Sequence, residues 1–125
     1  MRFRAESHLR RPTEFAEVRR LGRRCHCGGF VLWASSRPAV PPDAPAMPPG
    51  PRAGFVASRR AVGNAVARNR AKRRLREVFR HHQNLVPPGT DLVFVARRAL
   101  NGLEYAAIER DFLQACATLF PPLSN

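Results

Sequence analysis

Between Asn64 and Arg80 the chain reads NAVARNRAKRRLREVFR, with seven cations and one carboxylate. Arginine carries a flat fork of N–H donors that can hold a phosphate through two bonds and stack on a base. The chemistry on offer is therefore anion binding rather than bond breaking. On a helix of 100° per residue with Leu75 at zero, Ala71, Val78 and Phe79 fall within about 60° of it and Ala67 lies at about 80°. That is a narrow apolar stripe. Arg68, Lys72 and Arg76 make a ridge on one shoulder, Asn69, Arg73 and Arg80 continue outward, and Arg70 and Arg74 take the other shoulder beside Glu77. Like charges four residues apart cost an isolated helix roughly 0.2–0.5 kcal/mol per pair, and Arg73/Glu77 is the one favourable pair at that spacing. A helix meant only to be soluble would interleave acids. Asn69 is neutral, donates and accepts; it either reads a base edge or a 2′-hydroxyl, or is an ordinary exposed amide. Gly63-Asn64 supplies a flexible entry and a good N-cap, at the helix end that favours phosphate.

The rest of the chain shares this bias. Its 125 residues hold 22 basic and 9 acidic side chains, a formal +13, and Lys72 is the one lysine. Such an excess opposes folding by self-repulsion unless a polyanion neutralises it, so nucleic acid is the leading partner class. An anionic membrane surface comes second, and the narrow, alanine-rich stripe argues against it. A codon bias accounts for arginine over lysine but not for the net charge. The acids are scattered, and no carboxylate pair stands ready to hold Mg²⁺ for a protein nuclease. Cys25, His26 and Cys27, with His8, His81 and His82, raise the alternative of a zinc site. Yet C-X-C is not the usual metal-ligand spacing, and the histidine pair is adjacent rather than spaced along a helical face. Three cysteines without paired spacing are no disulfide framework. The basic start MRFRAESHLRRP lacks an apolar run behind it, so no signal peptide is expected. No stretch approaches the ~20 apolar residues of a membrane span. A soluble, cytoplasmic protein with no protein-bound metal and no obligate protein partner is expected.

The elements that must position these residues follow from pattern. Residues 1–11 read as a basic arm, 12–120 as a single domain and 121–125 as a tail. Pro12-Thr13 opens a helix with Phe15, Val18 and Leu21 on one side, closed by Gly22. Arg23 to Gly29 is polar and glycine-ended. Residues 30–34 and 52–58 read as strands, separated by 35–51, a connection with seven prolines that no helix or strand survives. Residues 92–96 are uninterruptedly apolar, as in a strand buried on both faces. A last helix spans about 103–120, with Ala106, Ile108, Phe112, Ala115, Cys116 and Leu119 on its inner side. The order is α-β-β(-β)-α-β-α, an α+β domain in which 52–96 forms a βαβ unit with parallel strands and, by default, a right-handed crossover.

The run SRRAVGNAVARNRAKRRLRE, residues 58–77, resembles the signature of the bacterial ribonuclease P protein component, centred on Arg68-Asn69-Arg70-Ala71-Lys72-Arg73. Leu9 with Phe15, Val18 and Gly22 looks like the family's first helix. Phe30 to Trp33 and Asp91 to Arg97 look like two of its strands. The resemblance covers about residues 9 to 119, apart from the proline stretch. It implies an αβ sandwich like a ribosomal-protein domain, with a left-handed βαβ crossover in place of the default. It implies a cofactor to a catalytic RNA that removes the 5′ leader of precursor tRNA, the RNA performing hydrolysis with Mg²⁺. By position, Arg68, Asn69, Arg70, Lys72, Arg73 and Arg76 would face that RNA or the groove edge. Arg59 and Arg60 would fill the family's paired-basic position, and Phe15 and Trp33 would line the leader groove. Arg19 stands where the family often has a second aromatic, so guanidinium contact would replace part of the stacking. The proline stretch is longer than the family's usual connection. Phe15 is either groove or core, and the groove reading requires Trp33 on the open sheet face. A general or ribosomal RNA-binding protein of similar fold is the alternative.

Overall fold

The computed structural model describes residues 8–9, 11–37 and 50–121. Residues 1–7, most of the proline stretch and the tail beyond Pro121 lie outside the described residues. Helix α1 (Pro12–Leu21) is followed by strands β1 (Arg23–His26), β2 (Phe30–Ser36) and β3 (Arg52–Val56). Then come a one-turn helix α2 (Arg59–Val62), the long helix α3 (Ala65–His82), strand β4 (Thr90–Ala96) and helix α4 (Tyr105–Leu119). The sheet order is β1-β2-β4-β3. The β1/β2 and β2/β4 pairs are antiparallel and β3/β4 is parallel, as the βαβ reading required.

Several boundaries differ from the sequence reading. Arg23–His26, read as a polar stretch, is a strand, because its backbone pairs with β2 from Arg23↔Ala34 to His26↔Val31. At the sheet edge, burial of alternate side chains is not needed to hold a strand. The strand expected to run to Ser58 stops at Val56; Ser58 instead caps α2, its hydroxyl accepting from Ala61 N. Helix α3 continues to His82, and β4 starts at Thr90. In α4, Ala106 is exposed and Ala107 turns inward instead, while Ile108, Phe112, Ala115, Cys116 and Leu119 are buried as expected.

One face of the sheet carries Phe30, Leu32, Phe55, Leu92 and Phe94 against Leu75, Val78 and Phe79 of α3 and Ile108 and Phe112 of α4. Phe94, on the central strand, joins these parts. Its ring lies 5.1 Å from Phe55 and 5.5 Å from Phe112, both stacked, and 6.3 Å edge-on from Phe79. Such pairs are worth about 0.5–1.5 kcal/mol each beyond their buried area.

The other face is thinner and belongs to α1. Strand register sets its side chains in rows across the sheet. Gly54, Val93, Trp33 and Arg24 form one row, and Val56, Val95, Val31 and His26 the next. Leu9, Val18 and Val93 are buried there, with Phe15, Trp33, Val56 and Val95 partly buried against them. Gly54 is required at its position. A Cβ there would come within 2.3 Å of the Phe15 ring and 3.2 Å of Leu9.

A charge network ties the base of the proline stretch to this frame. The Asp91 carboxylate accepts from Arg37 at 2.8 Å and from both Nε and a terminal nitrogen of Arg52 at 2.9 and 2.8 Å; Arg52 also binds Glu14 on α1 at 2.9 Å. Arg37 donates a further bond to Gly50 O at 2.6 Å, and its backbone N–H bonds to Gly89 O at 2.7 Å. The two ends of the stretch are thus closed against each other.

Candidate nucleic-acid interface

Helix α3 begins where the sequence indicated. The Asn64 side chain accepts from Ala67 N at 2.9 Å. Gly63, at φ +126°, supplies the left-handed turn between α2 and α3 that a side chain would strain. Ala71, Leu75, Val78 and Phe79 are buried, with Ala67 partly so, which orients the cations as the wheel required.

The seven cations of α3 then divide. Arg74 turns inward and donates to the carbonyls of Leu100 (2.9 Å) and Leu103, holding the turn before α4. Burial, and secondarily the charge of Arg70, pulls its pKa down. Arg80 is taken by Glu77 at 2.8 Å, and His81 lies 3.4 Å from the same carboxylate. The Arg80 hydrogen bond is the main cause holding the Glu77 carboxyl below its usual range. This corrects the expected Arg73/Glu77 pair. Glu77 reaches toward the helix C-terminus, where two cations compete for it, and Arg73 stays exposed. Arg68, Arg70, Lys72, Arg73 and Arg76 are left without an acidic partner among the described residues. The Nε atoms of Arg68 and Arg76 are shielded and lack an acceptor. A buried donor without an acceptor costs about 1–3 kcal/mol.

A groove runs beside this ridge. Phe15, Ala16 and Arg19 of α1, Phe55, Val56 and Ala57 of the β3 edge, and Lys72 of α3 line one cavity of ≈470 Å³. The Arg76 guanidinium lies 5.5 Å above the Phe55 ring. Phe15 and Arg19 therefore meet Lys72 in one place. Trp33 lies outside that cavity, on the same sheet face and half-buried, and connects to it through Arg19, whose guanidinium is 5.7 Å from the indole. Arg24, directly across from Trp33 on β1, lies 5.5 Å from the same ring. Arg59 and Arg60 are exposed on α2 and Asn69 is exposed on α3. Sequence reading missed Phe55, Val56 and Arg24; only the sheet register reveals that Arg24 stands beside Trp33.

A separate cavity of ≈490 Å³, between Leu21, Pro87 and Phe120 at the far end of the sheet, contains one cation, Arg23, and that side chain is bound to Leu119 O. It offers little to a polyanion. No described helix is long and apolar enough to cross a membrane.

The basic side does not suit a divalent cation. Mg²⁺ requires carboxylate oxygens. Here Asp91, Glu14 and Glu77 are engaged by arginine, Glu109 lies 2.7 Å from His82, and no group of three His, Cys, Asp or Glu among the described residues could hold a metal ion. The geometry therefore defines a class, a small α+β domain whose arginine ridge has no acidic partner among the described residues and borders a half-apolar groove.

Comparison with known proteins narrows that class. The family model described as Ribonuclease P matches residues 3–119. A ribonuclease P protein component from Streptomyces avermitilis is 41% identical over 107 residues, covering 85% of each chain. One from Micrococcus luteus is 39% identical over 121 residues, covering 94% of this chain and 90% of its own. Among solved structures, the RNase P protein of Staphylococcus aureus superimposes with a TM-score of 0.72 at 22% identity, covering 91% of this chain and 97% of that one. That of Thermotoga maritima gives 0.71 at 23%, covering 94% and 98%. The chain belongs to the ribonuclease P protein family, and its α+β fold is the fold of those structures.

Proposed function

We propose that this protein is the non-catalytic subunit of a cytoplasmic ribonuclease P, binding the catalytic RNA through α3 and the 5′ leader of precursor tRNA in the groove beside it. The observation that carries the reading is the set of five cations on α3 without acidic partners among the described residues, bordering a groove that holds Phe15, Arg19 and Lys72. Arg68, Arg70, Lys72, Arg73 and Arg76 neutralise phosphates of the catalytic RNA, Asn69 adds a neutral donor and acceptor among them, and Arg59 and Arg60 extend the surface. In the groove, Phe15, with Trp33 next to it, stacks unpaired bases for ~1–3 kcal/mol each without sequence preference, while Arg19 and Lys72 hold the backbone. Hydrolysis belongs to the RNA and its Mg²⁺. The protein's part is to raise the affinity of the complex for a substrate that still carries its leader.

The test is reconstitution. The protein is added to a bacterial ribonuclease P RNA at low Mg²⁺ and leader cleavage of precursor tRNA is measured. Stimulation is expected. A protein that binds RNA but leaves cleavage unchanged would point to a general RNA-binding role instead.

A further inference from the structure

A third basic feature lies at the end of the sheet where the two parallel strands finish. There β3 runs into α2, β4 runs into the turn at 98–102, and the β1–β2 turn folds back beside them. Gly28, Arg60, Ala61, Arg97, Arg98 and Ala99 line one cavity of ≈550 Å³. Three arginines from two distant segments thus converge on it, and none has an acidic partner among the described residues.

The walls are held in place. Asn101 Nδ2 donates to Val62 O at 3.0 Å, tying the turn to α2. Arg97 N donates to Gly29 O at 2.9 Å, tying the end of β4 to the β1–β2 turn. Arg74, reaching across from α3, donates to Leu100 O at 2.9 Å. These bonds hold the two segments that carry the three arginines against each other.

The lining also indicates the ligand. Arginine side chains offer donors and no acceptor, and the other lining residues are glycine and alanine. No lining residue is an aromatic plane on which a base could stack, and no lining side chain accepts a hydrogen bond from a base edge. The cavity suits a phosphodiester gripped by forked guanidiniums and nothing that must be read by sequence. It also lies at the end of the sheet where α2 leads into α3, beside the turn that Arg74 of α3 holds.

We propose that this cavity is a second phosphate-binding site for the catalytic RNA, holding its backbone over the end of the sheet while the α3 ridge holds it along the helix. The proposal rests on the ribonuclease P reading above. It assigns Arg97 and Arg98, together with Arg60, to RNA binding.

The experiment compares the whole protein with the double variants Arg97→Ala/Arg98→Ala and Arg97→Lys/Arg98→Lys, measuring affinity for the catalytic RNA across a salt series. The alanine variant should lose roughly 0.7–0.9 of log–log salt slope per phosphate contact removed, and the lysine variant should keep most of the slope. In the reconstituted holoenzyme, the alanine variant should keep the wild-type preference for precursor over mature tRNA. A folded alanine variant with the wild-type slope would overturn the site. Loss of the precursor preference with an unchanged slope would also overturn it, because the cavity would then serve the substrate. Failure of the wild-type protein to bind the catalytic RNA would instead overturn the ribonuclease P reading itself.

Discussion

The ring of Phe15 occupies the space that a side chain at Gly54 would take, with its nearest carbon 2.3 Å from an ideal Cβ position. Sequence reading left Phe15 as either core or groove, and the ring is partly buried against β3 while also lining a cavity. Its inner edge lies on the backbone of β3, and its outer side lines the groove with Arg19 and Lys72. Gly54→Ala should push the ring outward. We expect a stability loss of about 1–3 kcal/mol, as for other overpacked sites. Precursor tRNA binding should weaken more than catalytic-RNA binding. Thermal melts with two binding titrations check this, and equal loss in both titrations would remove Phe15 from the groove.

Arg68 and Arg73 have no acidic partner among the described residues, so replacing them breaks no ion pair there. Arg68→Ala/Arg73→Ala should leave folding nearly unchanged. Affinity for the catalytic RNA should fall, and its salt dependence should flatten by roughly 0.7–0.9 in log–log slope per lost contact. An unaltered slope would mean that these side chains do not touch the backbone.

The Trp33 ring has Arg19 and Arg24 within cation–π distance. A base reaching this place therefore meets guanidinium as well as indole. Trp33→Ala should weaken precursor tRNA binding while sparing mature tRNA. Arg24→Ala should produce a smaller loss in the same direction, of about 0.5–1 kcal/mol for one exposed cation–π contact. If Trp33→Ala weakens both substrates equally, the residue acts only as packing.

Asp91 is buried between Arg37 and Arg52. Removing it leaves Arg52 with Glu14 alone and Arg37 with Gly50 O, so Asp91→Ala should cost about 3 kcal/mol, the lower end for a broken buried pair and still more than losing a surface pair. Chemical denaturation measures this directly; a loss below about 1 kcal/mol would mean that the network is effectively solvated.

Burial pushes the thiols of Cys27 and Cys116 up to about 12, with Cys25 and Asp111 adding to the shift at Cys27 and Cys25 adding at Cys116. The fold favours the neutral thiol. The stability it gains is fully present below the unfolded thiol's pKa of about 8.5 and is lost as pH climbs toward 12. At pH 8 both side chains are held as the neutral, unreactive thiol. Native alkylation followed by mass spectrometry should leave both unlabelled, with labelling rates rising about tenfold per pH unit beyond that. Rapid labelling at pH 8 would contradict the burial.

What could be read without coordinates depended on how local each signal was. The α3 stripe, its Asn64 cap and the apolar run of β4 are written within single segments. Their partners are adjacent in sequence, and they were legible. Strand β1 was not, because RRCH carries no strand pattern of its own and is held by hydrogen bonds to β2. The roles of Arg74 and Arg80 were also hidden. Nothing in RNRAKRRLRE distinguishes an arginine that braces the turn before α4 from one that faces outward. The groove was half legible. Phe15, Arg19 and Trp33 were found, whereas Arg24, Phe55 and Val56 join them only once strand order and register are known.

The closure of Arg37 onto Gly50 and Asp91 gives the domain a handle. Arg37 and Gly50, which flank residues 38–49, meet at one clamped point, at the opposite end of the sheet from α2 and the turn after β4. A fluorophore or an affinity peptide inserted there would be tethered to a rigid base, away from the Arg60–Arg97–Arg98 cavity. The protein can then be immobilised or followed by fluorescence while RNA assembles on it.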